Sequence, residues 1–126
     1  MKNAGLKKKK VLIIDDNPGI LFAFQKALEI EDYHVLASPT FEGTEHIGKS
    51  APDLIFLDIF LANQDGREIT RELKAHRETE HIPIVILSAY PGIEGLAKEA
   101  GADDYLAKPF DLSDLFAIAQ KYTTQR

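Results

Sequence analysis

Residues 54–58 read Leu54-Ile55-Phe56-Leu57-Asp58: four apolar side chains in unbroken succession, closed by a carboxylate. A half-solvated strand alternates apolar and polar residues, whereas an unbroken run this short reads as a strand buried on both faces, as in parallel sheets. Four more segments share the pattern: Val11-Leu12-Ile13-Ile14, His34-Val35-Leu36-Ala37, Ile84-Val85-Ile86-Leu87 and Tyr105-Leu106-Ala107. Helical patterns occupy the intervals between them. Asn17-Pro18 opens the first as cap and first helical residue, and Ile20, Ala23, Phe24, Ala27 and Leu28 form its apolar stripe. A weaker pattern covers 41–49. Asp65 caps a third helix with Ile69 and Leu73 inward, and a short fourth covers 92–100, with Gly101 placed to end it. The last opens at Asp111 with a stripe of Leu112, Leu115, Phe116, Ala119 and Tyr122. Strand and helix thus alternate five times, which predicts an α/β fold with a parallel sheet and right-handed crossovers.

The chain has 126 residues, enough for one domain and its core. Its net charge of −5 argues against a nucleic-acid binder that works by neutralising phosphates. The absence of cysteine excludes disulfide scaffolds, thiolate zinc sites and thiol catalysis, and fits a reducing cytosol. No apolar run approaches the ~20 residues of a membrane span, so the expectation is a cytoplasmic protein with no membrane partner. Lys7-Lys8-Lys9-Lys10 reads as part of a solvated basic tail. The expected organisation is a flexible tail over 1–9, one domain over 10–122 and a short C-terminal tail over 123–126.

In open α/β sheets, ligands bind beyond the carboxyl ends of the strands. Asp15 and Asp16 follow the first strand, Asp58 ends the third, Ser88 ends the fourth and Lys108-Pro109 follows the fifth. Any one of these has an ordinary explanation, since an aspartate after a strand is commonly a helix cap. Asp58 is harder to dismiss, because it closes a strand expected to be fully buried. Together they would place three carboxylates, a hydroxyl and a lysine on one edge. Such an oxygen-rich, nitrogen-poor group suits a hard cation, Mg²⁺ before Zn²⁺. A cation and a lysine would stabilise a phosphoryl group arriving at an aspartate, which is a competent nucleophile for it.

The residues that carry this pattern also carry a resemblance. The pair Asp15-Asp16, the Leu57-Asp58 strand end followed by Gly66, Ser88-Ala89, Gly101-Ala102-Asp103-Asp104-Tyr105 and Lys108-Pro109-Phe110 resemble the receiver domain of bacterial two-component response regulators over roughly 9–121. The resemblance implies a flavodoxin-like receiver fold: a five-stranded parallel sheet of order 2-1-3-4-5 with helices on both faces. It implies Asp58 as phosphoacceptor, taking a phosphoryl group from a histidine kinase or a phosphotransfer protein. Mg²⁺, with Mn²⁺ as the alternative, would be held by Asp15, Asp16, Asp58 and the backbone carbonyl of Phe60. Lys108, the Ser88 hydroxyl and the Ala89 amide would stabilise the phosphoryl group. Ser88 and Tyr105 would form the conformational switch, and the Lys108–Pro109 bond would be cis. Leu21 and Phe22, on the outer side of the first helix, would meet the donor. A homodimer or a downstream protein is the further partner it implies. Such a domain is no enzyme acting on a separate metabolite, although it assists its own phosphorylation and dephosphorylation.

Two departures stand out. Ala62 occupies a position where the family usually has proline, so the loop after Asp58 is expected to be looser. The stretch from Ser88 to Lys108 is slightly shorter than usual, and the shortage falls in or before the fourth helix. The residues also bear on two rival functions. Gly43-Thr44-Glu45-His46-Ile47-Gly48-Lys49-Ser50 matches the P-loop pattern of nucleotide hydrolases literally. A P-loop must launch a helix from its Lys-Ser end, yet Pro52 and the next strand follow at once. A non-phosphorylated docking module should lack one essential group, and Asp15, Asp16, Asp58, Ser88 and Lys108 are all present. His34, His46, His76 and His81 show no ligand spacing, which leaves the phosphate-donor histidine to a partner.

Overall fold

The computed structural model describes residues 8–124; the greater part of the basic tail and the last two residues lie outside the described residues. In chain order the elements are β1 (Lys10–Ile14), α1 (Pro18–Ile30), β2 (His34–Ser38), α2 (Thr44–Ser50), β3 (Leu54–Asp58), β4 (Phe60–Leu61), β5 (Gln64–Asp65), α3 (Gly66–Ala75), β6 (Ile84–Ser88), α4 (Ile93–Ala100), β7 (Asp104–Ala107) and α5 (Leu112–Thr123). Five strands form a parallel sheet in the order β2-β1-β3-β6-β7. Numbered among the long strands alone, that is the expected 2-1-3-4-5.

Successive side chains of a strand point to opposite faces, so each central strand feeds two cores. Leu12, Ile14, Ile55 and Leu57 pack with Ile47 of α2, Ile69 and Leu73 of α3, and Ile93 and Ala97 of α4. Val11, Ile13, Leu54 and Phe56 pack on the other face with Phe24 and Leu28 of α1 and Leu115 and Ala119 of α5. The Phe24 ring meets those of Phe56 and Phe110 edge-on at 5.1 and 5.3 Å. Double coverage is why the central strands need unbroken apolar runs.

The outer strands correct part of the sequence reading. In β2 only Val35 is fully buried, and in β7 only Leu106. Edge strands have a neighbour on one side alone, so their apolar residues are less completely covered than those of the central strands. Two stripe residues also fall outside the core. Ala23 is exposed, because it lies about 100° around α1 from Phe24; Leu21 packs partly against the core in its place. Leu112 is 54% exposed. Side chains of a helix lean toward its N-terminus, so the leading residue overhangs the loop before α5 rather than the sheet.

The caps behave as read. Asn17 accepts a hydrogen bond from the Ile20 amide at 3.1 Å, and Asp65 accepts from the Arg67 amide at 2.9 Å. Gly101 ends α4 at φ +87°, where a side chain would be strained. Residues 44–50 are helical and run into a left-handed Ala51 before β3, so the P-loop-like stretch forms no phosphate-binding loop. At the boundaries, the Lys9 carbonyl accepts from the His34 amide at 2.9 Å, and α5 runs through a buried Thr123.

Candidate functional site

Parallel register brings the strand ends together. Ile14 pairs with Leu57, Asp58 with Leu87, and Ser88 with Ala107. The next residue out from Ile14 is therefore Asp15, beside Asp58, and the next out from Ala107 is Lys108. Oxygen atoms of Asp15, Asp16 and Asp58 all lie within 4.8 Å of one another. The Lys108 ammonium sits 2.9 Å from Asp15 Oδ2 and 3.7 Å from Asp58 Oδ1. The Lys108–Pro109 peptide bond is cis.

The three acids are held differently. Asp15 is completely buried; its Oδ1 accepts from the Asn17 amide at 2.9 Å and its Oδ2 from Lys108. A buried carboxylate is tolerable only with such partners. Asp16 is exposed and accepts from the Ala62 amide at 2.7 Å. Asp58 is mostly buried, and burial pushes its carboxyl above the ordinary carboxylate value. Lys108 pulls it back, Asp15 pushes it up again, the Phe60 amide bond lowers it, and Asp16 raises it. Three acids share one lysine, so the group is short of positive charge. That shortage, with an all-oxygen donor set, fits a hard divalent cation.

Ser88 is buried at the end of β6, and its Oγ accepts from the Tyr90 amide at 2.9 Å. The Lys108 amide donates to the Ser88 carbonyl at 2.8 Å, which ties the lysine strand to the serine strand. Ala89 is exposed beside it. Tyr105, on β7, packs partly against the α2–α4 core. Phe60 and Tyr90 are about half exposed, and their rings meet edge-on at 5.8 Å. On α1, Phe22 is 63% exposed with the Lys26 ammonium 5.6 Å from its ring, whereas Leu21 is half-buried. Of the two residues expected on the outer face of α1, Phe22 is the one presented to solvent.

One part of the site has no signature in the sequence. Residues after Asp58 form a small antiparallel hairpin, with Phe60 opposite Asp65 and Leu61 opposite Gln64. Asn63 takes a left-handed φ of +66° in its turn, a region asparagine tolerates. Alanine at 62 keeps the N–H that proline lacks, and that N–H is the donor to Asp16.

Known proteins with this arrangement agree among themselves. Residues 11–120 match the family model of the response regulator receiver domain. Response regulator MprA of Mycobacterium leprae is 34% identical over 113 residues, covering 86% of this chain and 48% of that protein. The DNA-binding dual master transcriptional regulator RpaA of Synechocystis is 36% identical over 111 residues, covering 86% of this chain and 46% of its own. The chain therefore spans about half the length of these two relatives. A two-component response regulator from Clostridium difficile superposes with a TM-score of 0.78 at 28% identity, covering 94% of this chain and 98% of that one. The receiver domain of a sensor histidine kinase from Pseudomonas aeruginosa, solved with magnesium coordinated in its active-site cleft, gives 0.77 at 29% identity, covering 93% and 98%. The sheet order, the acids at the strand ends and the match over nearly the whole chain lead to one conclusion: the chain belongs to the response regulator receiver domain family, the phosphoacceptor modules of two-component signalling.

Proposed function

We propose that Asp58 is the phosphoacceptor, and that the chain takes its phosphoryl group in the cytoplasm from the histidine of a kinase or phosphotransfer protein. The observation that carries this reading is the Lys108 ammonium poised between Asp15 and Asp58 inside a three-carboxylate cluster. An Asp58 oxygen attacks phosphorus, the bond from phosphorus to the donor breaks, and the donor leaves with the electron pair. Lys108 pairs with the negative oxygens of the transferred group. Ser88 and the Ala89 amide add hydrogen bonds on the opposite side. The Ser88 hydroxyl, which accepts from the Tyr90 amide, turns inward to donate its own proton there, and Tyr105 moves with it as the switch.

Asp15, Asp16, Asp58 and the Phe60 carbonyl are the residues that would hold Mg²⁺, with Mn²⁺ as the substitute. The ion supplies positive charge where carboxylates and phosphoryl oxygens crowd together. By this assistance the chain supports its own phosphorylation and, with water as nucleophile, its own dephosphorylation. The test is incubation of purified protein with acetyl phosphate. One phosphoryl group per chain, mapped to Asp58 and abolished by a chelator, is the expected result; labelling at another residue would overturn the assignment.

Phe22 is the candidate contact for the protein donor. It is exposed on the helix that starts beside Asp16, and its ring and Lys26 make a mixed apolar and cationic patch. Phe22→Ser is expected to slow transfer from a phosphorylated kinase several-fold and to leave acetyl phosphate labelling unchanged. Equal slowing with both donors would place the effect in the site or the fold.

Phe60 and Tyr90 follow Asp58 and Ser88 by two residues each and touch one another. Their rings border the approach of a hydrolytic water, and neither offers a carboxylate or amide to orient it. Near-attack geometry carries much of such a rate, so the phosphoryl state is expected to persist well beyond seconds. Phe60→Asn or Tyr90→Ala is expected to shorten it by a few-fold to about tenfold, the latter equivalent to about 1.4 kcal/mol of barrier. Decay of label from purified phosphoprotein, without kinase, measures this; variants no faster than wild type would remove the shielding.

A further inference from the structure

The hairpin beside the site is tied down at a point remote from the acids. Gln64, half-buried on β5, bonds the backbone of Phe41 twice: its Oε1 accepts from the Phe41 amide at 3.1 Å, and its Nε2 donates to the Phe41 carbonyl at 3.4 Å. Phe41 in turn packs against the α2–α4 core. The opposite strand is anchored by buried Leu61, and the hairpin base by the Gly66 amide bonded to the Ile59 carbonyl at 2.8 Å. The turn at Ala62 and Asn63 projects, and it delivers the Ala62 amide to the site, 2.7 Å from Asp16 Oδ2.

This contact matters because of the difference between the paired acids. Asp15 is fixed by two donors and complete burial. Asp16 is exposed, and the Ala62 amide donates to it. An exposed aspartate rotates freely unless something holds it, and each lost rotamer costs entropy when a metal binds. An amide on one carboxylate oxygen fixes the plane of the group and leaves the other oxygen to ligate.

We propose that Gln64 is a positioning residue: by clamping the hairpin to the backbone of Phe41, it holds the Ala62 amide on Asp16 and so preorganises that carboxylate for the metal. The inference rests on reading Asp16 as part of the metal-holding set. It makes the β2–α2 loop, which contributes no side chain to the acids, a determinant of metal affinity. It also gives Ala62 a role that proline at the same position could not fill.

Mg²⁺ titration followed by the backbone amide signals of the full chain tests it. Gln64→Ala is expected to weaken Mg²⁺ binding about tenfold, the usual cost of losing an outer-shell partner. Its acetyl phosphate labelling at saturating Mg²⁺ is expected to match wild type. In metal-free protein the Ala62 amide should exchange with solvent about tenfold faster in Gln64→Ala than in wild type, with the core amides unchanged. Ala62→Pro removes the donor itself and should weaken Mg²⁺ to the same degree. Adding Gln64→Ala to Ala62→Pro should then cost nothing further, because both act through one contact. Unchanged affinity in Gln64→Ala, or additive losses in the double variant, would overturn the clamp. Wild-type protein that binds no Mg²⁺ would overturn the underlying reading of the acids instead.

Discussion

Asp58→Asn is expected to take up no phosphoryl group from acetyl phosphate at any Mg²⁺ concentration, and to be more stable than wild type in the absence of metal. The first effect follows from chemistry, since an amide oxygen is a far weaker nucleophile than a carboxylate. Undiminished labelling of the variant would remove Asp58 from its role. The second follows from electrostatics. Burial and the neighbouring Asp15 and Asp16 raise the Asp58 pKa in the fold, and Lys108 compensates only in part. A raised folded-state pKa means that folding favours the protonated form. The stabilising contribution is complete below the ordinary carboxylate value and is lost as pH rises through the folded value. At neutral pH wild type therefore carries a destabilising charge that asparagine lacks. The variant should gain about 1 kcal/mol there, a rise in Tm of roughly 4 °C at this chain length. The difference should shrink as pH falls through the raised folded-state value, and it should vanish below about pH 3, where Asp58 is protonated in both states. It should also shrink on adding Mg²⁺, which stabilises wild type preferentially. A variant less stable than wild type at pH 7 without metal would contradict the charge argument.

Gly66→Ala is expected to damage both the fold and the site. A Cβ at this position would lie 2.6 Å from the Ile59 Cα, 2.7 Å from the Asp58 carbonyl oxygen and 3.0 Å from that of Ile59. All three are backbone atoms at the end of the central strand, so no side chain can swing aside. The strand end or the start of α3 must move, and the Gly66 amide bond to the Ile59 carbonyl is then lost. Overpacking typically costs 1–3 kcal/mol, and a lost buried hydrogen bond adds to it, so about 3 kcal/mol is expected. That corresponds to a fall in Tm of roughly 10 °C. The displaced residues adjoin the acceptor, so labelling by acetyl phosphate should fall well beyond what partial unfolding explains. Thermal melting and labelling below the transition separate the two effects. A variant within about 0.5 kcal/mol of wild type, with normal labelling, would show that the strand end yields without cost.

Elements that rest on local rules were legible from the residues alone. Unbroken apolar runs marked Leu54–Asp58 and Ile84–Ser88 as doubly covered strands, and they are buried throughout. Asn17-Pro18, Asp65 and Gly101 marked helix ends, because capping depends on the few residues at the end itself. The order of the strand-end groups along the chain, together with the resemblance, was enough to assemble the acids, the serine and the lysine. Other features depend on neighbours distant in the chain and emerge only from the packed fold. The same apolar pattern is half exposed in β2 and β7, since a strand's burial is set by how many strands flank it. Ala23 and Leu112 leave the core because helix orientation against the sheet, not apolar character, chooses the buried stripe. Last, the hairpin of β4 and β5 is too short to leave a periodicity. Its two ties, Gln64 to the Phe41 backbone and the Ala62 amide to Asp16, join residues 23 and 46 positions apart, a distance over which no local sequence rule operates.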